Sequence, residues 1–210
     1  MCWLARLIGV LIAIYVRLVS ATCRVDGPAV TQEQAVLAFW HEYNLVAAIA
    51  AHRLRRHRHH VSFSTQTFRG GVMTAMLAAL DAGSVPLPPE GDRAGAARLT
   101  LEMARVGREG ASIVISPDGP LGPYRRAKPG ALIVAREAGI PIQPWAVSVR
   151  PAIRLKGRWD RHIIPLPFCR LRVEQAEMIR VRAREPLRPL LAALQAELQG
   201  VADRADRRMG

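Results

Sequence analysis

Residues 112–123, SIVISPDGPLGP, decide how the whole chain is read. The run 112–116 is built of residues that favour strands, and Pro117 ends it. From Ser116 to Pro123 there are two glycines and three prolines. Such a composition makes a stiff, turned loop with exposed backbone N–H groups. Upstream, 93–108 predicts a helix, with Ala97, Leu101 and Ala104 at helical spacing. Downstream, Pro129 opens a helix to Ala138, in the first turn, where a missing N–H costs nothing.

The same alternation continues outward. Strands are expected at 21–25, 36–40 (VLAFW), 61–65, 84–87 and 142–149, with two more before a C-terminal helix from 186 to about 204. Helices are expected at 42–56 and 71–82, the second capped by Gly83. This order argues for an α/β fold, a mixed, mostly parallel sheet covered by helices. In such sheets ligands bind at the C-terminal ends of strands, so residues directly after strands are the candidates for chemistry.

With 210 residues, half of them hydrophobic, the chain is long enough for one domain with a real core and is not disordered. It carries 30 basic and 17 acidic residues, a net charge of +13, and all its bases but Lys128 and Lys156 are arginines. Arginine's planar fork suits phosphate and carboxylate, so anionic partners are expected. The excess is smallest over residues 61–149 and larger in the flanking segments. Cys2, Cys23 and Cys169 have no zinc-ligand or CxxC spacing, and their sparse, odd count does not suggest a disulfide scaffold.

Residues 3–19, WLARLIGVLIAIYVRLV, are apolar except for Arg6 and Arg17, with ten uncharged residues between them. A spanning helix needs about 20 apolar residues. The preferred expectation is therefore an interfacial anchor over residues 1–20, with Trp3 and Tyr15 at headgroup level, followed by an α/β domain over 21–210; an ordinary buried helix, a true span and a secretory signal are the alternatives.

Three groups follow predicted strands. His41, after VLAFW, is a general-base candidate because imidazole titrates near neutrality. Asp118 and Gly119 lie in the glycine–proline loop, where backbone N–H groups suit an oxyanion. Arg125, Arg126 and Lys128 follow that loop. The third group, 139–145, is a proline-bracketed approach to a strand. The tract 52–60, HRLRRHRHH, has four arginines among four histidines. Its arginines disfavour a metal cation, and it lacks the aromatics that single-stranded nucleic acid stacks on. Anionic headgroups suit it better.

Taken together, these groups resemble the lysophospholipid/glycerolipid acyltransferase superfamily. They are most similar to its small bacterial lysophospholipid acyltransferase-like branch, a family of unknown function. The residues carrying the resemblance are Phe39–Trp40–His41, the D-G-P-x-G-P loop from Asp118 to Pro123, and Lys128–Pro129–Gly130. Pro141 to Pro144, Trp159–Asp160–Arg161 and Pro165 to Phe168 complete it. It covers roughly residues 20–175.

The resemblance implies acyl transfer from a CoA or acyl-carrier-protein thioester to a hydroxyl of a lysophospholipid or related lipid precursor. No metal and no bound cofactor is implied. It implies His41 as general base, the Asp118–Gly119 loop at the oxyanion, and Arg93, Arg125, Arg126, Lys128 and Pro141 around substrate. It also implies work at the cytoplasmic face of a membrane, with anionic lipid as partner and no nucleic acid. One departure stands out. The wider superfamily has an aspartate five residues after the histidine to orient its ring, and here that position is Val46. A carboxylate from elsewhere would have to serve, and its absence would leave a catalytically weak lipid-binding relative.

Overall fold

The computed structural model describes residues 2–27, 33–53, 59–88 and 92–209, without the side chains of Arg93 and Met209. Among them, seven strands form one mixed sheet: β1 (Arg24–Asp26), β2 (Val36–Ala38), β3 (His60–Ser64), β4 (Gly83–Pro86), β5 (Ser112–Ile115), β6 (Ile142–Arg154) and β7 (Ile163–Gln175). Their order is β1-β7-β6-β2-β5-β3-β4. All neighbours are parallel except β6 and β7, which form an antiparallel hairpin. The α/β expectation therefore holds.

Six helices cover the sheet: α1 (Trp3–Thr22), α2 (Asn44–Arg53), α3 (Phe68–Ala79), α4 (Arg93–Arg108), α5 (Gly130–Ala138) and α6 (Leu187–Met209). The central strand β2 is buried along its whole length, as expected of a strand covered on both faces. Phe39, Trp40 and Tyr43 continue the core beyond it, with Trp145 edge-on to Phe39 at 4.9 Å.

Local signals explain most boundaries. Thr67 accepts from the Gly70 N–H to start α3, and Asp92 accepts from the Gly95 N–H at 2.8 Å to start α4. Gly139 ends α5 at φ 71°, where a side chain would be strained. Three expectations are corrected. Gly83 caps no helix, because α3 ends at Ala79 with Leu80 as its cap, and Gly83 pairs with Val61 in the sheet. The inward stripe of α4 is Met103, Ala104 and Gly107, whereas Leu101 is 60 % exposed; a helix face follows the direction of packing and not the apolar residues alone. The two strands expected after 149 are a longer β6 and one long β7, joined by a hairpin tip.

Helix α1 lies on α3, α2 and β7, and Ala13, Val16 and Val19 enter the common core. Its other face exposes Trp3, Leu7, Val10, Leu11, Ile14 and Leu18. Tyr15 is turned inward instead of lying at headgroup level, its hydroxyl donating to the Pro165 carbonyl. By length and hydropathy α1 is able to cross a membrane. Of the basic tract, residues 54–58 lie outside the described residues.

Candidate active site

Parallel register assembles the site. Ala38 of β2 pairs with Ile115 of β5, an offset of 77 residues, and His41 and Asp118 have the same offset, three residues beyond each strand end. His41 begins a single 3-10 turn (His41–Tyr43). Asp118 is fully buried in the loop after β5. The ring Nδ1 of His41 lies 2.9 Å from Asp118 Oδ1, and the His41 backbone N–H donates to the same carboxylate at 3.2 Å and 3.4 Å. A carboxylate accepts, so Nδ1 carries the proton and Nε2 is left as the acceptor. Asp118 thus fills the place that Val46 leaves empty. Val46 itself is a buried core residue of α2.

The loop is shaped around this pair. Gly119 has φ 69°, and a Cβ there would meet the Lys128 ammonium at 2.9 Å, so the missing side chain makes room for Lys128. The Lys128 N–H donates to the Pro117 carbonyl at 2.9 Å, which holds the segment against the loop. Ser116 Oγ donates to Asn44 Oδ1 at 2.9 Å and joins the β5 end to the α2 start. Arg126 and Lys128 are exposed near this loop. Trp159, from the β6–β7 hairpin tip, faces the His41 ring at 5.2 Å and covers Gly122, where a Cβ would meet its ring at 2.8 Å.

Several expected site residues stand elsewhere. The Gly119 N–H donates to the Ser116 carbonyl at 3.0 Å, so it closes the turn and is not free for an oxyanion. Arg125 is only 10 % exposed and is engaged in a half-buried ion cluster. Its Nε lies 2.6 Å from Glu42 Oε1 and its Nη2 2.7 Å from Asp206 Oδ2. Arg154 reaches the same two carboxylates at 3.0 Å each, and the Tyr124 hydroxyl donates to Glu42 at 3.0 Å. Burial pushes Glu42 above the ordinary carboxylate range against the pull of Arg125 and Arg154, and burial pushes Tyr124 up to about 12. Pro141 precedes β6, and its carbonyl accepts from the Val36 N–H at 2.8 Å. It therefore lies at the N-terminal end of β2, opposite the C-terminal end that His41 follows. Arg93 opens α4 after the C-terminal end of β4, but its side chain lies outside the described residues.

Two features escaped the sequence reading. One is a largely apolar cavity of about 990 Å³ beneath α1, lined by Ile12, Phe39, Met73 and Trp145, with Arg69 and Asp81 also in its lining. No sequence signal reveals it, because it is space left between α1, α2, α3 and the sheet. The other is a second histidine–aspartate pair on the hairpin tip. Asp160 is buried, and Arg158 holds it at 2.8 Å and 2.9 Å. Burial alone pushes Asp160 up, yet the Arg158 hydrogen bonds and charge outweigh it, so its pKa falls below the usual value. His162 Nδ1 lies 3.7 Å from Asp160, and burial lowers the His162 pKa, favouring the neutral ring. The sequence WDRH was the only sign of this pair.

No protein-family model matches the chain. It is 25 % identical over 142 residues to the uncharacterized protein RP090 of Rickettsia prowazekii (strain Madrid E). That match takes in 68 % of this chain and 62 % of the relative, so the chain spans less than two thirds of its length. The crystal structure of the 1-acyl-sn-glycerophosphate acyltransferase PlsC from Thermotoga maritima matches with a TM-score of 0.55 at 15 % identity. It covers 95 % of this chain and 78 % of that one. The fold resembles that of the 1-acyl-sn-glycerophosphate acyltransferase structure.

Proposed function

We propose that the protein is an acyltransferase, moving a fatty acyl group from a CoA or acyl-carrier-protein thioester to a hydroxyl of a lysophospholipid or related lipid precursor. The 2.9 Å contact between His41 and Asp118, beside an apolar cavity, carries this reading. His41 Nε2 takes the proton as the acceptor hydroxyl attacks the thioester carbonyl carbon. The tetrahedral intermediate collapses, the C–S bond breaks, and the proton passes from His41 to the leaving thiolate. Positioned proton transfer of this kind contributes about 10²–10⁴-fold. Asp118 keeps the tautomer and steadies the imidazolium, as carboxylates do in nucleophilic triads. The cavity suits the acyl chain, since apolar space welcomes methylene groups. Lys128, beside Gly119, supplies positive charge for the oxyanion or an acceptor phosphate, with Arg126 and Arg93 as further cations.

The exposed apolar row of α1 suits the headgroup–acyl boundary of a membrane, with the arginine excess favouring anionic lipid at the cytoplasmic face. The alternative, a catalytically weak or inactive lipid-binding relative, rests on Val46, and the Asp118 carboxylate beside His41 supports the enzyme reading over it.

The test offers purified protein lysophosphatidate and other lysophospholipids with CoA and carrier-protein thioesters. Transfer is expected from wild type and not from His41→Ala, with lipid binding retained. Transfer that survives His41→Ala overturns the mechanism.

A further inference from the structure

We propose that Phe168 inserts into the membrane and, with the exposed row of α1, forms one contact with an anionic lipid surface. This rests on the membrane reading of α1 and deepens it by naming a second element of the contact.

Phe168 is 80 % exposed, more than any other large hydrophobic residue among the described ones. Its backbone has φ 63°, a region that bulky side chains rarely adopt. The cause is a bulge. Arg150 pairs with Arg170 and Ala152 with Pro165, so β7 spends residues 166–169 against the single Pro151 of β6. Bulges re-aim side chains, and this one turns an aromatic ring out to water at a cost in backbone strain. A ring so exposed contributes little to the core, so its use lies outside the chain.

The bulge stands at the end of α1. The Phe168 N–H donates to Thr22 Oγ1 at 3.1 Å, and the Thr22 hydroxyl donates to the Leu18 carbonyl at 3.1 Å. Leu18 is the last of the exposed apolar residues on α1, and Thr22, one turn on, lies on the same helix face. Phe168 therefore adjoins the C-terminal end of the apolar row. Helix α1 is fixed in the fold, with Ala13, Val16 and Val19 in the core and Arg17 donating to the Ala79 carbonyl at 2.6 Å. Row and ring are thus presented together.

Charge says what covers this surface. Helices α1, α2 and α3 enclose the cavity on the sheet face that carries Leu37, Val114 and Trp145. They hold four arginines, Arg6, Arg17, Arg53 and Arg69, and no aspartate or glutamate. On the other face α4 and α5 meet Ile113, and α6 packs against α5 and β6. Each of those helices carries acid, as at Glu102, Glu137 and Asp206. An apolar surface whose helices carry only cations matches anionic headgroups above acyl chains. A second copy of the chain would set these arginines against their own kind.

The test measures flotation of the full chain with vesicles of phosphatidylcholine alone and with phosphatidylglycerol added. Wild type is expected to bind the anionic vesicles about tenfold more tightly, the scale of one or two arginines at such a surface. Phe168→Gly suits the backbone at φ 63° and so keeps the fold. It is expected to weaken binding to both vesicles about tenfold, the scale of one aromatic side chain returned to water. Phe168→Trp is expected to retain binding, and brominated lipid is expected to quench its added fluorescence. Leu101→Ser removes an exposed apolar residue from α4, on the other face, and is expected to bind as wild type does. Unchanged binding in Phe168→Gly, an added tryptophan that brominated lipid leaves unquenched, or an equal loss in Leu101→Ser overturns the proposal. So does a dimer that forms without vesicles and that Phe168→Gly dissolves, which assigns the face to a second copy. Wild type that binds neither vesicle overturns the membrane reading as a whole. Flotation needs no turnover, so a failure of acyl transfer leaves this result readable.

Discussion

Two histidine–aspartate pairs stand beside each other at the strand ends, and their aspartates are committed differently. Asp118 is buried and points at His41, accepting both its ring N–H and its backbone N–H. Asp160 is buried too, but Arg158 occupies both of its oxygens and His162 stays 3.7 Å away. The first arrangement fixes a tautomer and exposes a proton acceptor. The second anchors the hairpin tip and leaves its histidine to hydrogen-bond the His41 backbone instead. Residue type alone does not distinguish a base-orienting aspartate from a structural one; the competing partner does.

The largest effect tests the first pair. Asp118→Asn keeps the shape but offers the ring an ambiguous partner, and kcat is expected to fall by roughly 10³–10⁴-fold. Asp160→Asn is expected to cost much less in kcat. Equal losses in the two steady-state measurements would erase the distinction.

Arg158→Ala tests the second pair from the other side. It leaves a buried carboxylate unpaired, an expected cost of about 1–3 kcal/mol. Thermal melting should show a drop of several degrees, with kcat changed far less than by Asp118→Asn.

A smaller effect is expected with acid. The folded-state pKa of Asp160 is below its ordinary value, so its pairing stabilises the fold above the ordinary carboxylate range. That contribution is lost as the pH falls through the folded value. Denaturant unfolding of Asp160→Asn should therefore show a weaker decline at low pH than wild type.

Arg105 sets the zero of the scale. It pairs with Glu102 at 2.8 Å and with Glu109, but on an exposed face of α4. Exposed pairs are screened by water and contribute little. Arg105→Ala should leave the melting temperature within error, which shows that burial, not hydrogen-bond geometry, separates the two aspartates from surface pairs.

The alternation of elements was readable because each carries its own period and punctuation. Helix α4 and strand β5 were legible from caps, β-branched residues and Pro117. The candidacy of Asp118 was also readable, from its place after a strand. Its role as the partner of His41 was not, because the two are 77 residues apart and only the parallel register joins them. Arg125 looked like a phosphate ligand because a cation after a Gly-rich loop is the same letter whether it faces solvent or Glu42. Pro141 lies before β6, at the strand end opposite the one that His41 and Asp118 follow.

Local chemistry written in the sequence therefore determined the element order, the apolar α1 and the candidates His41 and Asp118. Tertiary structure decided which carboxylate met which cation or imidazole, and where the cavity opened. Partner choice depends on distance between segments far apart in the chain, and no local propensity encodes that distance.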